Sequence, residues 1–264
     1  MRHLFFYSII ICLFYWSCTP KVTAPLVNNV PADEGKWATF KISEPEATEV
    51  WEPVPRKVTA NENAFPSDAI VLFDGSSLDA WTSTKEVGKA ASWTIANGAM
   101  TVKPGTGDIQ TKQSFGDIQL HIEWRSPEVV ESEGQGRGNS GVFFQKKYEV
   151  QILDNYENKT YPNGQAGAIY KQYPPRVNAC RAPGVWQEYD IVFTAPTFNK
   201  DGMRTAPGHI TVFHNGVLIQ NHSELQGTTE YIGLPKNIAH GSGPIMLQDH
   251  SNLVSYRNIW VREI

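Results

Sequence analysis

Residues 118–125, IQLHIEWR, alternate apolar and polar over eight positions without a break. A period of two is the period of a β-strand, whose successive side chains point to opposite faces. Ile118, Leu120, Ile122 and Trp124 must therefore face a core, leaving Gln119, His121, Glu123 and Arg125 together on the other side. The stretch from Gly138 to Asn155, GNSGVFFQKKYEVQILDN, reads as two more strands, antiparallel to each other. In the second of them Tyr148, Val150 and Ile152 point one way while Glu149, Gln151 and Leu153 point the other. A face that places Glu and Gln at strand positions is suited to meet something polar.

The same pattern continues on both sides. Ile70 to Phe73 is a short apolar run closed by Asp74-Gly75, and Trp93 to Val102 reads as a hairpin turning on Asn97-Gly98. Ile210 to Gln220 is another hairpin with Asn215-Gly216 at its tip, and Gly243 to His250 and Ser255 to Ile264 close the chain as strands. No helix-period stretch of useful length competes, and 21 Gly with 17 Pro in 264 residues supply turns between short strands. The expectation is an all-β fold, a two-sheet antiparallel sandwich with one polar concave face. That face would carry His121, Glu123, Arg125, Glu149, Gln151, Gln248 and His250. The plainer reading is a face that only meets water. Against it, the set is poor in Lys, Ser and Thr and holds two His, two carboxylates and two carboxamides.

The N-terminus reads differently. Leu4 to Trp16 is an apolar run of signal-peptide length, too short to span a bilayer, and Ser17-Cys18 after it resembles a lipoprotein processing box. Residues 1–17 are read as a signal peptide, with Cys18 as the lipidated first residue of the mature chain, 18–47 as a tether, and 48–264 as the folded domain with an extended N-terminal arm. The expected place of work is the cell envelope, lipid-anchored, facing the periplasm or on the outer membrane of a Gram-negative bacterium. Trp51 is expected to pack on the domain as part of the arm. Cys12 leaves with the signal and Cys18 is acylated, so Cys180 stands alone and reads as a buried small residue. A formal net charge of -4 gives no electrostatic case for a nucleic-acid partner.

Four segments carry a family resemblance: EGQGRGNSGVFFQKKYEVQILDNY, NGQAGAIYKQYPPRVNACRAPGVWQEYDIVFTAP, HNGVLIQNHSELQG and GPIMLQDHSNLVSYRNIWVREI. Together with TEVWEP and LFDGSSLDAW they resemble the 3-keto-disaccharide hydrolase family, also described as 3-keto-glucoside 1,2-lyase and 3-keto-2-hydroxy-glucal hydratase domains. The resemblance runs from about Thr48 to the C-terminus. It implies a concanavalin A-like jelly roll, bacterial export and an oxidised di- or oligosaccharide or glucoside as substrate. Ser251 stands where the family often has Gly, and Val185 where an acidic residue is common.

A ketone at C3 of a hexose acidifies the C2 proton, so a base can remove it and expel the oxygen at C1. The reaction needs a positioned base, donors to the enolate oxygen and a proton for the leaving group. Glu149 or His250 can supply the base, and Arg125, Gln151 or Lys171 the donor. Glu123, His121, Asn139, Arg137, Tyr170, Lys171, Gln248 and Asp249 are the candidates for holding substrate. Of these, Asp249 needs a bulge or a strand end to join its neighbours. Ordinary retaining hydrolysis needs two carboxylates about 5 Å apart, and the partner position to Glu149 is Gln151, although Glu123 or Asp154 could approach from elsewhere. His121, Glu123, Glu149, Asp249 and His250 include enough ligand types to leave a divalent ion open as a cofactor. A non-catalytic carbohydrate-binding module remains the competing class, since fold does not decide function.

Overall fold

The computed structural model describes residues 45–61, 64–86 and 88–264. Leu4 to Trp16, Cys18 and most of the tether lie outside the described residues. The chain divides into two compact units, 1–56 and 57–264. In the first, Pro45–Thr48 forms a 3-10 turn. Trp51 is 79% exposed, its indole N–H donating to Glu49 Oε2 at 3.0 Å. Its polar handle thus finds a partner two residues away within the same unit.

The regular elements of the second unit are nearly all strands: β1 (Ile70–Phe73), β2 (Trp81–Ser83), β3 (Thr94–Ala96), β4 (Ala99–Thr101), β5 (Ile109–Thr111), β6 (Ile118–Arg125), β7 (Ser140–Phe144), β8 (Tyr148–Ile152), β9 (Gln187–Thr194), β10 (Thr197–Phe198), β11 (Arg204–Ala206), β12 (His209–His214), β13 (Val217–Glu224), β14 (Met246–Leu247) and β15 (Ser255–Glu263). The larger sheet runs β13-β12-β9-β6-β15-β4-β3, with β1 also pairing to β15, and the smaller runs β2-β5-β14-β7-β8. The strand pairs of both are antiparallel. Both hairpins expected at Asn-Gly are present. Asn97 and Gly98 have φ of 52° and 71°, and Asn215 and Gly216 have 52° and 78°, the left-handed pair that a tight two-residue hairpin turn demands.

The sheets close over a single core. Ile118, Leu120, Ile122 and Trp124 of β6 and Val150 and Ile152 of β8 are all fully buried in one cluster. The fold is the two-sheet antiparallel sandwich that alternation predicts, of the concanavalin A-like kind that the resemblance implies.

Two expectations change. The strand expected over Gly243–His250 is reduced to Met246–Leu247. Pro244 offers no N–H to a ladder, and past Leu247 the Gln248 N–H still reaches the Gly141 carbonyl at 3.1 Å but the Asp249 N–H leaves the ladder for Asp108 Oδ1 at 2.8 Å. The second correction concerns the polar face. β6 lies in the larger sheet and β8 in the smaller, each with its apolar set turned into the shared core. Glu123 and Glu149 therefore point out of opposite faces of the sandwich, and one concave face does not collect both sets.

Candidate functional site

The outward face of the smaller sheet is hollowed to about 710 Å³, and Glu149 and Gln151 form its floor. They reach it because Tyr148, Val150 and Ile152 take the core side of β8. Both are buried, at 4% and 1% exposure. Across the ladder Gly141 stands opposite Gln151, and Phe143 opposite Glu149. A Cβ on Gly141 would run into the Glu149 carboxylate, so this glycine leaves the space in which the acid lies.

The far edge of β8 is covered by the segment 167–170. Gly167 N–H donates to the Gln151 carbonyl at 2.8 Å, Gln151 N–H to the Ala168 carbonyl at 3.0 Å, and Tyr170 N–H to the Glu149 carbonyl at 3.1 Å. This seam brings Tyr170 and Lys171 into the wall. The Tyr170 hydroxyl lies 2.7 Å from that of Tyr161, and Lys171 Nζ lies 4.4 Å above the Tyr231 ring while donating to its carbonyl at 2.5 Å. Gln248 and His250 enter from the end of β14, and Asn139 from the loop before β7. Burial, reinforced by the Asp108 carboxylate, pushes Glu149 up to about 8.

The Gln151 amide lies against that carboxyl. With its nitrogen toward Glu149, it donates to Glu149 Oε1 and to the Ser140 carbonyl, each at 3.0 Å.

The comparisons with known proteins agree with this architecture. Residues 68–262 match the 3-keto-alpha-glucoside-1,2-lyase-like domain. The chain belongs to that family. A crystal structure described as a putative glycosyl hydrolase from Parabacteroides distasonis is 52% identical, with a TM-score of 0.81 over 84% of this chain and 97% of that one. A second from the same organism, also described as a putative glycosyl hydrolase, is 19% identical with a TM-score of 0.53, covering 75% of this chain and 94% of that one, and speaks for the fold alone. No curated protein matches the chain. The family makes this domain a carbohydrate-active enzyme.

Within this lyase-like domain the candidates sort by sheet. Glu149, Gln151, Asn139, Tyr170, Lys171, Gln248 and His250 share the hollow. His121, Glu123 and Arg125 do not, because they belong to the outer face of the larger sheet. There His121 Nδ1 lies 2.8 Å from Asp190 Oδ1 and the ring stacks on Trp260. Arg257 donates to Glu123 at 2.6 Å, and Arg125 packs over Trp186 at 4.6 Å. Burial would raise Glu123, but hydrogen bonds from His121, Asn258 and Arg257 outweigh it and hold the acid at about 2.

Two other candidates are used by the fold itself. Arg137 donates to Asp154 Oδ2 at 2.6 Å and to the Tyr156 carbonyl at 2.8 Å. Asp249, beyond the strand end, accepts from the Gly107 N–H at 2.8 Å and from the Ser251 N–H at 3.0 Å. Neither these nor Asp154 lines the hollow that holds Glu149. The five groups considered for a divalent ion thus do not assemble as one donor set. Among the described residues no three His, Cys, Asp or Glu side chains gather to hold a metal. Cys180 packs at the edge of the core, its thiol pushed up to about 12 by burial.

Gln135, Tyr161, Thr229 and Tyr231 also line the hollow, and the sequence reading missed them. All four lie on connecting segments where no periodicity marks a face; proximity to the Gly-rich loop at 134–138 was the one usable signal, and only for Gln135.

Proposed function

We propose that the protein cleaves the glycosidic bond of 3-keto-glucosides by β-elimination across C1 and C2, hydration of the 2-hydroxy-glucal product completing net hydrolysis of 3-keto-disaccharides. The observation that carries this reading is Glu149, the one carboxylate lining the hollow among the described residues, buried and held at about 8. A pair of carboxylates, as ordinary glycoside hydrolysis requires, has no second member here. A single acid of raised basicity suits removal of a carbon-bound proton.

In this mechanism the Glu149 carboxylate takes the C2 proton of the bound ketosugar, and the C2–H electron pair becomes an enolate with its charge on the C3 oxygen. Tyr170, Lys171 and Asn139 are the donors in the wall that can stabilise that oxygen. Burial keeps the Tyr170 hydroxyl protonated by raising it well above its ordinary range. The enolate then forms the C1–C2 double bond as the C1–O bond breaks, and the departing oxygen takes a proton. In an α-glucoside the C2 hydrogen and the C1 oxygen lie on opposite faces of the ring. His250, in the turn after β14, is the lining residue assigned to give that second proton. Gln151, donating to Glu149 Oε1 at 3.0 Å, holds the carboxylate in place.

Substrate carrying deuterium at C2 tests the step. Expected are a primary isotope effect on turnover and loss of the label to solvent. Full retention of C2 deuterium in the released sugar rejects elimination.

The apolar run Leu4–Trp16 and Ser17-Cys18 support action in the cell envelope as a lipid-anchored enzyme. Cys18→Ala should release the protein into the soluble envelope fraction; a wild-type protein already soluble and unacylated rejects the anchor.

A further inference from the structure

Beside the hollow that holds Glu149 lies a second, of about 580 Å³. The two share one wall residue, Gly136. Around it the chain is divided between them: Gln135 and Asn139 line the first, Arg137 and Gly138 the second. The turn after β14 is divided likewise, with His250 in the first and Ser251 to Leu253 in the second. The partition between the hollows thus passes through a residue with no side chain. A Cβ on Gly136 would meet the Ser132 hydroxyl, which would have to turn aside. A sugar ring in the first hollow can extend a substituent over Gly136 into the second.

The second hollow differs in chemistry from the first. Val129, Val130 and Leu253 leave 71%, 45% and 54% of their surfaces exposed around it. Apolar side chains gathered at a concavity mark a place where an apolar group is taken up. Its charged lining includes the Glu128 and Glu131 carboxylates, while the Arg137 guanidinium is engaged by Asp154 and the Tyr156 carbonyl. An anionic group would meet two like charges there with no free cation from Arg137.

Resting on the elimination reading, we propose that the second hollow is the leaving-group subsite, that it takes an apolar, uncharged aglycone such as an aryl ring, and that the scissile C1–O bond lies over Gly136 beside His250. The assignment also explains where the departing oxygen finds its proton, since His250 ends the lining of one hollow and Ser251 begins that of the other.

The experiment compares phenyl, 4-carboxyphenyl and methyl 3-keto-α-glucosides on the full chain, on Leu253→Asp, on Val130→Asp, and on Leu234→Asp. Leu234, 83% exposed, lines neither hollow and serves as the control. Wild type should prefer phenyl over methyl in kcat/KM and discriminate against carboxyphenyl. The phenyl-to-methyl ratio should fall about tenfold or more in Leu253→Asp and Val130→Asp, the scale on which an apolar pocket discriminates, and hold in Leu234→Asp. A ratio unmoved by both subsite variants, or moved by Leu234→Asp alone, overturns the assignment. If none of the glycosides is cleaved, the elimination reading fails instead. The subsite is then judged by calorimetric Kd values for the phenyl and methyl compounds, and equal values in wild type and Leu253→Asp overturn it.

Discussion

Glu149→Gln is expected to lower turnover of a 3-keto-glucoside by about 10²- to 10⁴-fold, the scale of a lost general base, while leaving the sandwich folded. The same change should make the protein more stable at alkaline pH. Burial, with Asp108 adding to it, raises this acid from 4.5 to about 8, so the folded state holds a proton there that the unfolded chain gives up at its ordinary carboxylate pKa. Between about 4.5 and about 8 the folded state binds more protons, and stability falls as pH rises through that window. At about 1.4 kcal/mol per pKa unit, the cost above the window is on the order of a few kcal/mol, or several degrees of Tm for a domain of this size. The amide introduced by Glu149→Gln does not titrate, so the fall in Tm between pH 5 and pH 8.5 should be shallower in the variant. In the wild type kcat/KM should climb with pH and level off above about 8, because only the ionised acid can act as base. Melting curves and pH–rate profiles of both proteins check this. Wild-type turnover in Glu149→Gln, or a rate that falls as pH rises toward 8, removes Glu149 from the role of base.

The parent glucoside, with a hydroxyl at C3 in place of the ketone, is expected not to react at all within the sensitivity of a chromatographic assay. Without the carbonyl there is no enolate to receive the C2–H electrons, and neither a carboxylate of raised basicity nor an imidazole is strong enough to remove that hydrogen. Among the described residues the lining of the hollow offers no second carboxylate to run the alternative, an attack at C1 backed by a proton donor. Incubating the purified chain with a 3-keto-glucoside and with its unoxidised parent, and measuring released aglycone from each, separates the two chemistries. Comparable release from both would place the enzyme among ordinary glycosidases and require an acid pair that the hollow does not contain.

Alternation along β6 and β8 told which side chains leave the core, and every one of Ile118, Leu120, Ile122, Trp124, Val150 and Ile152 is buried as that pattern requires. It could not tell that the two strands belong to different sheets. Period is a property of one strand, whereas its sheet is fixed by pairing with partners far away in sequence, such as Arg257 with Glu123. Hence His121, Glu123 and Arg125, polar and outward like Glu149, were assigned to the wrong face. Gln248 and His250 are alternate positions of the strand expected to reach His250, and both line the hollow although that strand stops at Leu247. Asp249 was flagged as needing the strand end, and the strand does end before it, but its carboxylate goes to the Gly107 and Ser251 N–H groups. Tyr161, Thr229 and Tyr231 arrive from connecting segments, where position depends on tertiary packing that no local pattern encodes.

The seam along β8 has a meaning beyond the site. As the last strand of the smaller sheet, β8 would ordinarily present a row of free donors and acceptors to any other extended chain, and its sequence, YEVQI, is a strong strand former. The segment 167–170 occupies that row with its own backbone, taking up the carbonyls of Glu149 and Gln151 and the N–H of Gln151. The residues that bring Tyr170 and Lys171 into the wall of the hollow therefore also deny the edge to a second molecule, and self-association through the strand that bears the candidate base is closed off by the same hydrogen bonds that shape its surroundings.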